Sequence, residues 1–221
     1  MIVLRALGAL LTYPRAELIA ALPELGAVIE GSPLIGAAAK RRLADLIADL
    51  GNGDPYDIEE RYVALFDRGR TTSLHLFEHV HGESRERGPA LVDLKQVYER
   101  AGFRLAPHEL PDYLPAMLEY LGCRDTAEAH DMLGDCAHVL QAVGARLAAR
   151  GSRYAAVFDA LLAIAGAGGL DWSKAPPAEP EPAPDDDWMD APAFGPGSER
   201  GAGKPATAVL HFVPPGRKCI T

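Results

Sequence analysis

The residues best equipped for chemistry lie in Leu74–Arg87, LHLFEHVHGESRER. Within this stretch His75-x-x-Glu78-His79 has the spacing of an inverted zincin motif. Residues four apart on a helix share a face, so His75 and His79 could hold one metal ion while Glu78 served as general base. A zinc peptidase also needs a third protein ligand and a cleft for an extended substrate. Glu109, Glu119 and Glu128 lie downstream, but nothing marks one of them out. A five-residue match arises easily by chance, so the favoured reading is a polar cluster serving structure or a partner, without metal and without catalysis. The second distinctive stretch is Glu109-Leu110-Pro111-Asp112-Tyr113-Leu114-Pro115. Two prolines around an acidic residue make a rigid loop leading into a helix with Met117, Leu118 and Leu121, and Asp112 is its expected N-cap. The sequence contains no GxSxG, P-loop or GxGxxG fingerprint. Cys123, Cys136 and Cys219 are odd in number and form no CxxC pair, which indicates neither a disulfide framework nor a zinc knuckle.

The elements that must position these residues read as helix after helix. Ser32-Pro33 predicts a capped helix start, closed at Gly51. Asp54-Pro55 repeats the device before Ile58, Tyr62, Leu65 and Phe66, an amphipathic stripe. Leu91, Leu94, Tyr98 and Ala101 form another, ended by Gly102. Asp125 and Glu128 have capping-box spacing, and Met132, Cys136, Val139, Val143 and Leu147 follow at helical intervals as one helix stopped by Gly151. Ser152 should cap the next, with Tyr154, Val157, Phe158, Leu161 and Ala165 facing inward. No segment alternates as a strand with hairpin turns. The expected fold is all-α, a single-domain helical bundle.

The composition shifts near Trp172. Ten of the 18 prolines fall from Pro176 onward, and Glu179 to Asp190 carries six acidic residues and no basic one. Such a segment buries too little apolar surface to offset its ordering entropy. The expected organisation is a helical domain over 1–172 and a disordered, Pro-rich acidic tail over 173–221. A short apolar patch, Ala208 to Val213, interrupts the tail. The formal charge of -9 opposes non-specific binding to nucleic acid or an anionic membrane. The opening MIVLRALGALLTYP is broken by Arg5 and stops at Tyr13-Pro14, which suits a buried first helix better than an export signal. No apolar run approaches the roughly 20 residues needed to span a bilayer. A cytoplasmic protein is expected.

Tyr62-x-x-Leu65-Phe66-Asp67, then LHLFEHVHGESRERGPALVDL (Leu74–Leu94), then ELPDYLPAMLEYL (Glu109–Leu121) together resemble the NarJ-type nitrate reductase delta subunit. That family consists of molybdenum cofactor assembly chaperones within the wider redox-enzyme maturation proteins. Leu10-Leu11-x-Tyr13-Pro14 agrees, and the resemblance runs from about Leu4 to Gly166. It implies an all-helical, non-catalytic chaperone carrying no cofactor of its own. Such a chaperone binds the N-terminal segment of the apo catalytic (alpha) subunit of respiratory nitrate reductase and assists molybdenum cofactor insertion before membrane docking. By position, the resemblance assigns partner binding to Glu78, His79, His81 and Glu83, and to Asp112 with its neighbour Tyr113. Relatives favour His where this chain has Tyr113. The alternatives are a chaperone of the same fold serving another molybdoenzyme, and a zinc peptidase built on His75, Glu78 and His79.

Overall fold

The computed structural model describes residues 1–82 and 84–172. Its ten helices in chain order are α1 (Ile2–Leu10), α2 (Ala16–Glu30), α3 (Ala37–Asn52), α4 (Pro55–Phe66), α5 (Leu76–His81), α6 (Arg87–Arg100), α7 (Leu114–Gly122), α8 (Thr126–Asp135), α9 (Ala137–Ala149) and α10 (Ala155–Ile164). A 3-10 turn, Arg70–Thr72, precedes α5. Among the described residues the fold is all-α, and none of these helices is long and apolar enough to cross a membrane. The expected domain boundary and tail concern residues 173–221, which lie outside the described residues, as does Glu83.

Two helices form the centre. Helix α1 packs on α7, α2 and α10, with Leu4, Leu7 and Leu10 completely buried. Helix α10 packs on α9, α3 and α8, and almost every residue from Ala155 to Ile164 is buried, the pattern of a helix enclosed on all sides. Each fully buried leucine or phenylalanine contributes about 1.5–3 kcal/mol. The one charge inside α10, Asp159, accepts from Arg42 at 2.6 Å and from the Leu170 N–H at 2.7 Å. Those two donors make its burial tolerable.

Local signals explain two of the helix starts. Asp54 accepts from the Tyr56 N–H at 2.9 Å with Pro55 in the first turn, and Asp125 accepts from the Glu128 N–H at 2.9 Å. The other half of that capping box is not made, because Glu128 turns to Tyr120 and Arg124 instead. Three expectations need correction. Ser32 closes a local turn by accepting from Leu34 N–H at 3.3 Å, while α3 starts at Ala37 and runs through Gly51 to Asn52. The helix expected to continue from Glu128 to Leu147 is two, α8 and α9, meeting at Cys136. Cys136 is buried at this corner, so one apolar stripe serves two axes. Ala101 is exposed, and its stripe on α6 ends with Tyr98.

Candidate functional site

The His75–His79 stretch and the ELPDYLP loop, far apart in sequence, meet at a single backbone bridge. His75 and Tyr113 form an isolated antiparallel bridge, closed by Leu76 N–H to Asp112 C=O at 3.0 Å and Leu114 N–H to Leu74 C=O at 2.9 Å. Asp112 is the centre of this lock and has no solvent exposure. Its carboxylate accepts from the Phe77 N–H at 3.2 Å and contacts His75 Nδ1 at 3.3 Å, with the Arg87 guanidinium at 3.9 Å. Phe77 is the second residue of α5, so Asp112 supplies that helix with an N-cap from another part of the chain. The cap of α7 is Tyr113, which corrects the expectation for Asp112.

Each donor has its own support. Arg87 of α6 also donates to Glu78 at 3.1 Å, linking α5, α6 and the loop. The buried Tyr98 hydroxyl donates to Pro111 C=O at 2.9 Å and fixes the loop from below. The Tyr113 ring lies 5.3 Å from that of His75, and the Tyr62 hydroxyl donates to Leu11 C=O at 2.8 Å. The hydrogen bond to Asp112 raises the His75 pKa above its ordinary value, against the opposing effect of burial. His79 goes the other way: burial lowers its pKa, and Nε2 donates to Ser73 C=O at 2.8 Å. A carbonyl only accepts, so the neutral ring carries its proton on Nε2.

This geometry redistributes the sequence motif. His75 precedes α5 in extended conformation, and its ring serves Asp112, whereas His79 serves Ser73. The two imidazoles therefore do not share the helical face that the zincin spacing suggested. His81 packs edge-on against Phe77 at 5.4 Å, and both its ring nitrogens are buried without a partner among the described residues. Glu78, His81 and Tyr113 are half-exposed.

Through Glu109 the loop also borders a groove of about 510 Å³ between α1, α2 and the start of α7. Its apolar lining includes Ile2, Ala6, Ala9, Leu25, Val28, Pro115 and Ala116. Glu24, Glu109 and Glu119 stand among the lining residues with one cation, Arg5. Gly8 permits the close approach of α1 and α7, since a Cβ there would lie 3.1 Å from Leu118 Cβ and 3.2 Å from Pro115 O. Sequence reasoning missed Glu24, gave Arg87 no role of its own, and met Tyr98 only as part of an apolar stripe. It met Glu119 only as a metal-ligand candidate, and Glu109 as that and as the start of the proline loop.

The family model described as nitrate reductase delta subunit matches residues 34–160 of this chain. The nitrate reductase molybdenum cofactor assembly chaperone NarJ of Escherichia coli strain K12 is 47% identical over 165 residues, covering 75% of this chain and 70% of the relative. The probable chaperone of the same description, NarW, from that strain is 42% identical over 168 residues, 75% of this chain and 69% of its own. The probable NarJ of Bacillus subtilis strain 168 is 34% identical over 158 residues, covering 72% and 85% respectively.

Proposed function

The chain belongs to the nitrate reductase delta subunit family, and from that premise we propose that it is a dedicated chaperone for nitrate reductase. It holds the apo catalytic subunit by its N-terminal segment in the cytoplasm while the molybdenum cofactor is inserted, and releases it before membrane docking. It works by binding, without catalysis and without a cofactor of its own.

The observation that carries the binding mode is the apolar groove bounded by α1, α2 and α7, with three carboxylates and one guanidinium among its lining residues. Its volume is within the roughly 300–1,000 Å³ of ordinary ligand clefts. An amphipathic helix inserts apolar anchors into such a groove. The excess of carboxylates favours a segment bearing Lys or Arg, mainly by steering encounter. Ordering a free peptide costs about 2–5 kcal/mol. An affinity near micromolar, about -8 kcal/mol, still permits release.

Glu78, His79, His81, Asp112 and Tyr113 then define the loop edge of the partner surface, with Glu83 in the same stretch. Asp112 acts by holding the loop that carries Glu109 and Pro115 to the groove, and His79 by fixing Ser73 in the segment the loop pairs with. Glu78, His81 and Tyr113 are half-exposed and can meet the client directly. The test is calorimetry with a peptide from the client N-terminus. Val28→Asp in the groove lining should weaken binding at least tenfold while leaving the helical circular dichroism intact. Glu83→Ala and His79→Ala should weaken it less, and Lys40→Ala not at all. Equal affinity in all four variants would place the client elsewhere on the molecule.

A further inference from the structure

The same chain contains a second segment with the chemistry this groove selects. Residues 200–218 read RGAGKPATAVLHFVPPGRK, with four basic residues and no acidic one around the apolar Ala208–Val213. The groove offers the complement: an apolar lining of Ile2, Leu25, Val28 and Ala116, with Glu24, Glu109 and Glu119 outnumbering Arg5. We propose that residues 200–218 occupy the client groove when no client is bound, as an intramolecular substitute. This rests on the client groove proposed above.

Reach does not limit the contact. The last described residue, Trp172, is seated on the body with Arg42 4.5 Å above its ring. From there to Ala208 is 36 residues, and a Pro-rich chain of that length can reach as far as about 110 Å at roughly 3.1 Å per residue. That exceeds the roughly 30–40 Å diameter implied by the radius of gyration of a 172-residue domain. The intervening Glu179–Asp190 carries six carboxylates and no cation. Its like charge makes this part a poor match for the acidic groove, and the basic and apolar part is the segment whose chemistry fits. The consequence is a threshold. A tethered segment faces its site at an effective concentration of about 1 mM, so an intrinsic Kd near 0.1 mM fills the groove about 90% of the time. A client must displace it, and its apparent affinity falls about tenfold. Weakly matching peptides are then excluded, and the apolar lining of the idle chaperone is covered.

The experiment uses the full chain with benzoylphenylalanine in place of Phe212, irradiated at low micromolar concentration. Cross-links within the chain to α1, α2 or the start of α7 are expected, and they should vanish when Val28→Asp is added. Cross-links to other elements, links only between chains, or no links would overturn the inference. In a second arm, Leu210→Asp with Phe212→Asp should bind the client N-terminal peptide about tenfold more tightly than the unmodified chain. Unchanged affinity would also overturn it. The cross-linking arm contains no client, so intramolecular links to the groove in a chain that binds no client peptide would uphold the tail contact and defeat only the client reading.

Discussion

Asp112 connects sequence to site at the scale of single residues. Its carboxylate is fully buried and serves the Phe77 N–H, His75 and Arg87 together. Truncation strands an amide and leaves His75 without its counter-charge, while Arg87 keeps Glu78 at 3.1 Å. Removing one partner of such a buried pair costs about 3–5 kcal/mol, and the half-exposed His75 and Arg87 place Asp112→Ala at the low end. Urea unfolding should therefore show a loss of about 3 kcal/mol, with Asp112→Asn losing less because it still accepts from Phe77. The two histidines are expected to set pH dependences of opposite sign. His75 has a raised pKa in the fold, so its contribution is complete below 6.5 and is lost as pH rises through the folded value. His79 has a lowered pKa, so stability falls as pH drops below 6.5 and the unfolded chain takes up the proton first. Urea midpoints followed from pH 5 to 9 should lose the alkaline decline in His75→Gln and the acid decline in His79→Gln. The motif itself was legible in the sequence. Its use was not, because Asp112 caps a helix 35 residues away, and local spacing registers only the helix that follows.

At the scale of elements, what the sequence disclosed depended on whether the determinant was local. Asp54-Pro55 and Asp125 act within three residues, and both helix starts fall where their side chains require. The corner at Cys136 could not be read, since Met132, Cys136, Val139 and Val143 keep helical spacing across it and all are buried. Close packing of α9 on α10 was equally hidden. A Cβ at Gly144 would lie 2.8 Å from Phe158 Cβ and 3.0 Å from Leu170, contacts that require the helices to shift. Overpacking of this kind costs about 1–3 kcal/mol, which outweighs the helix-propensity gain of roughly 1 kcal/mol. Gly144→Ala is accordingly expected to lower the thermal midpoint despite adding a better helix former. A raised midpoint would mean that α10 yields without cost.

Taken whole, the molecule combines a helical bundle with an apolar groove that no single segment encodes. The α1 lining comes from an apolar run that resembled a signal peptide, α2 contributes Glu24, Leu25 and Val28, and α7 contributes its first turn. The first and the last were readable as helices and α2 was not singled out, and the groove exists only where Gly8 lets α1 and α7 approach and the Asp112 lock fixes the loop between α6 and α7. The zincin spacing, by contrast, was plain in sequence and dissolves in three dimensions, because the His75 and His79 rings have separate partners. The central proposal is that this chain matures nitrate reductase through that groove. The most direct measurement is the molybdenum content and activity of nitrate reductase purified from cells whose own gene for this chain has been removed. Both are expected to be low without the chain, restored by the unmodified chain, and not restored by an equally abundant Val28→Asp variant. Full molybdenum occupancy and activity in cells lacking the chain would contradict the account.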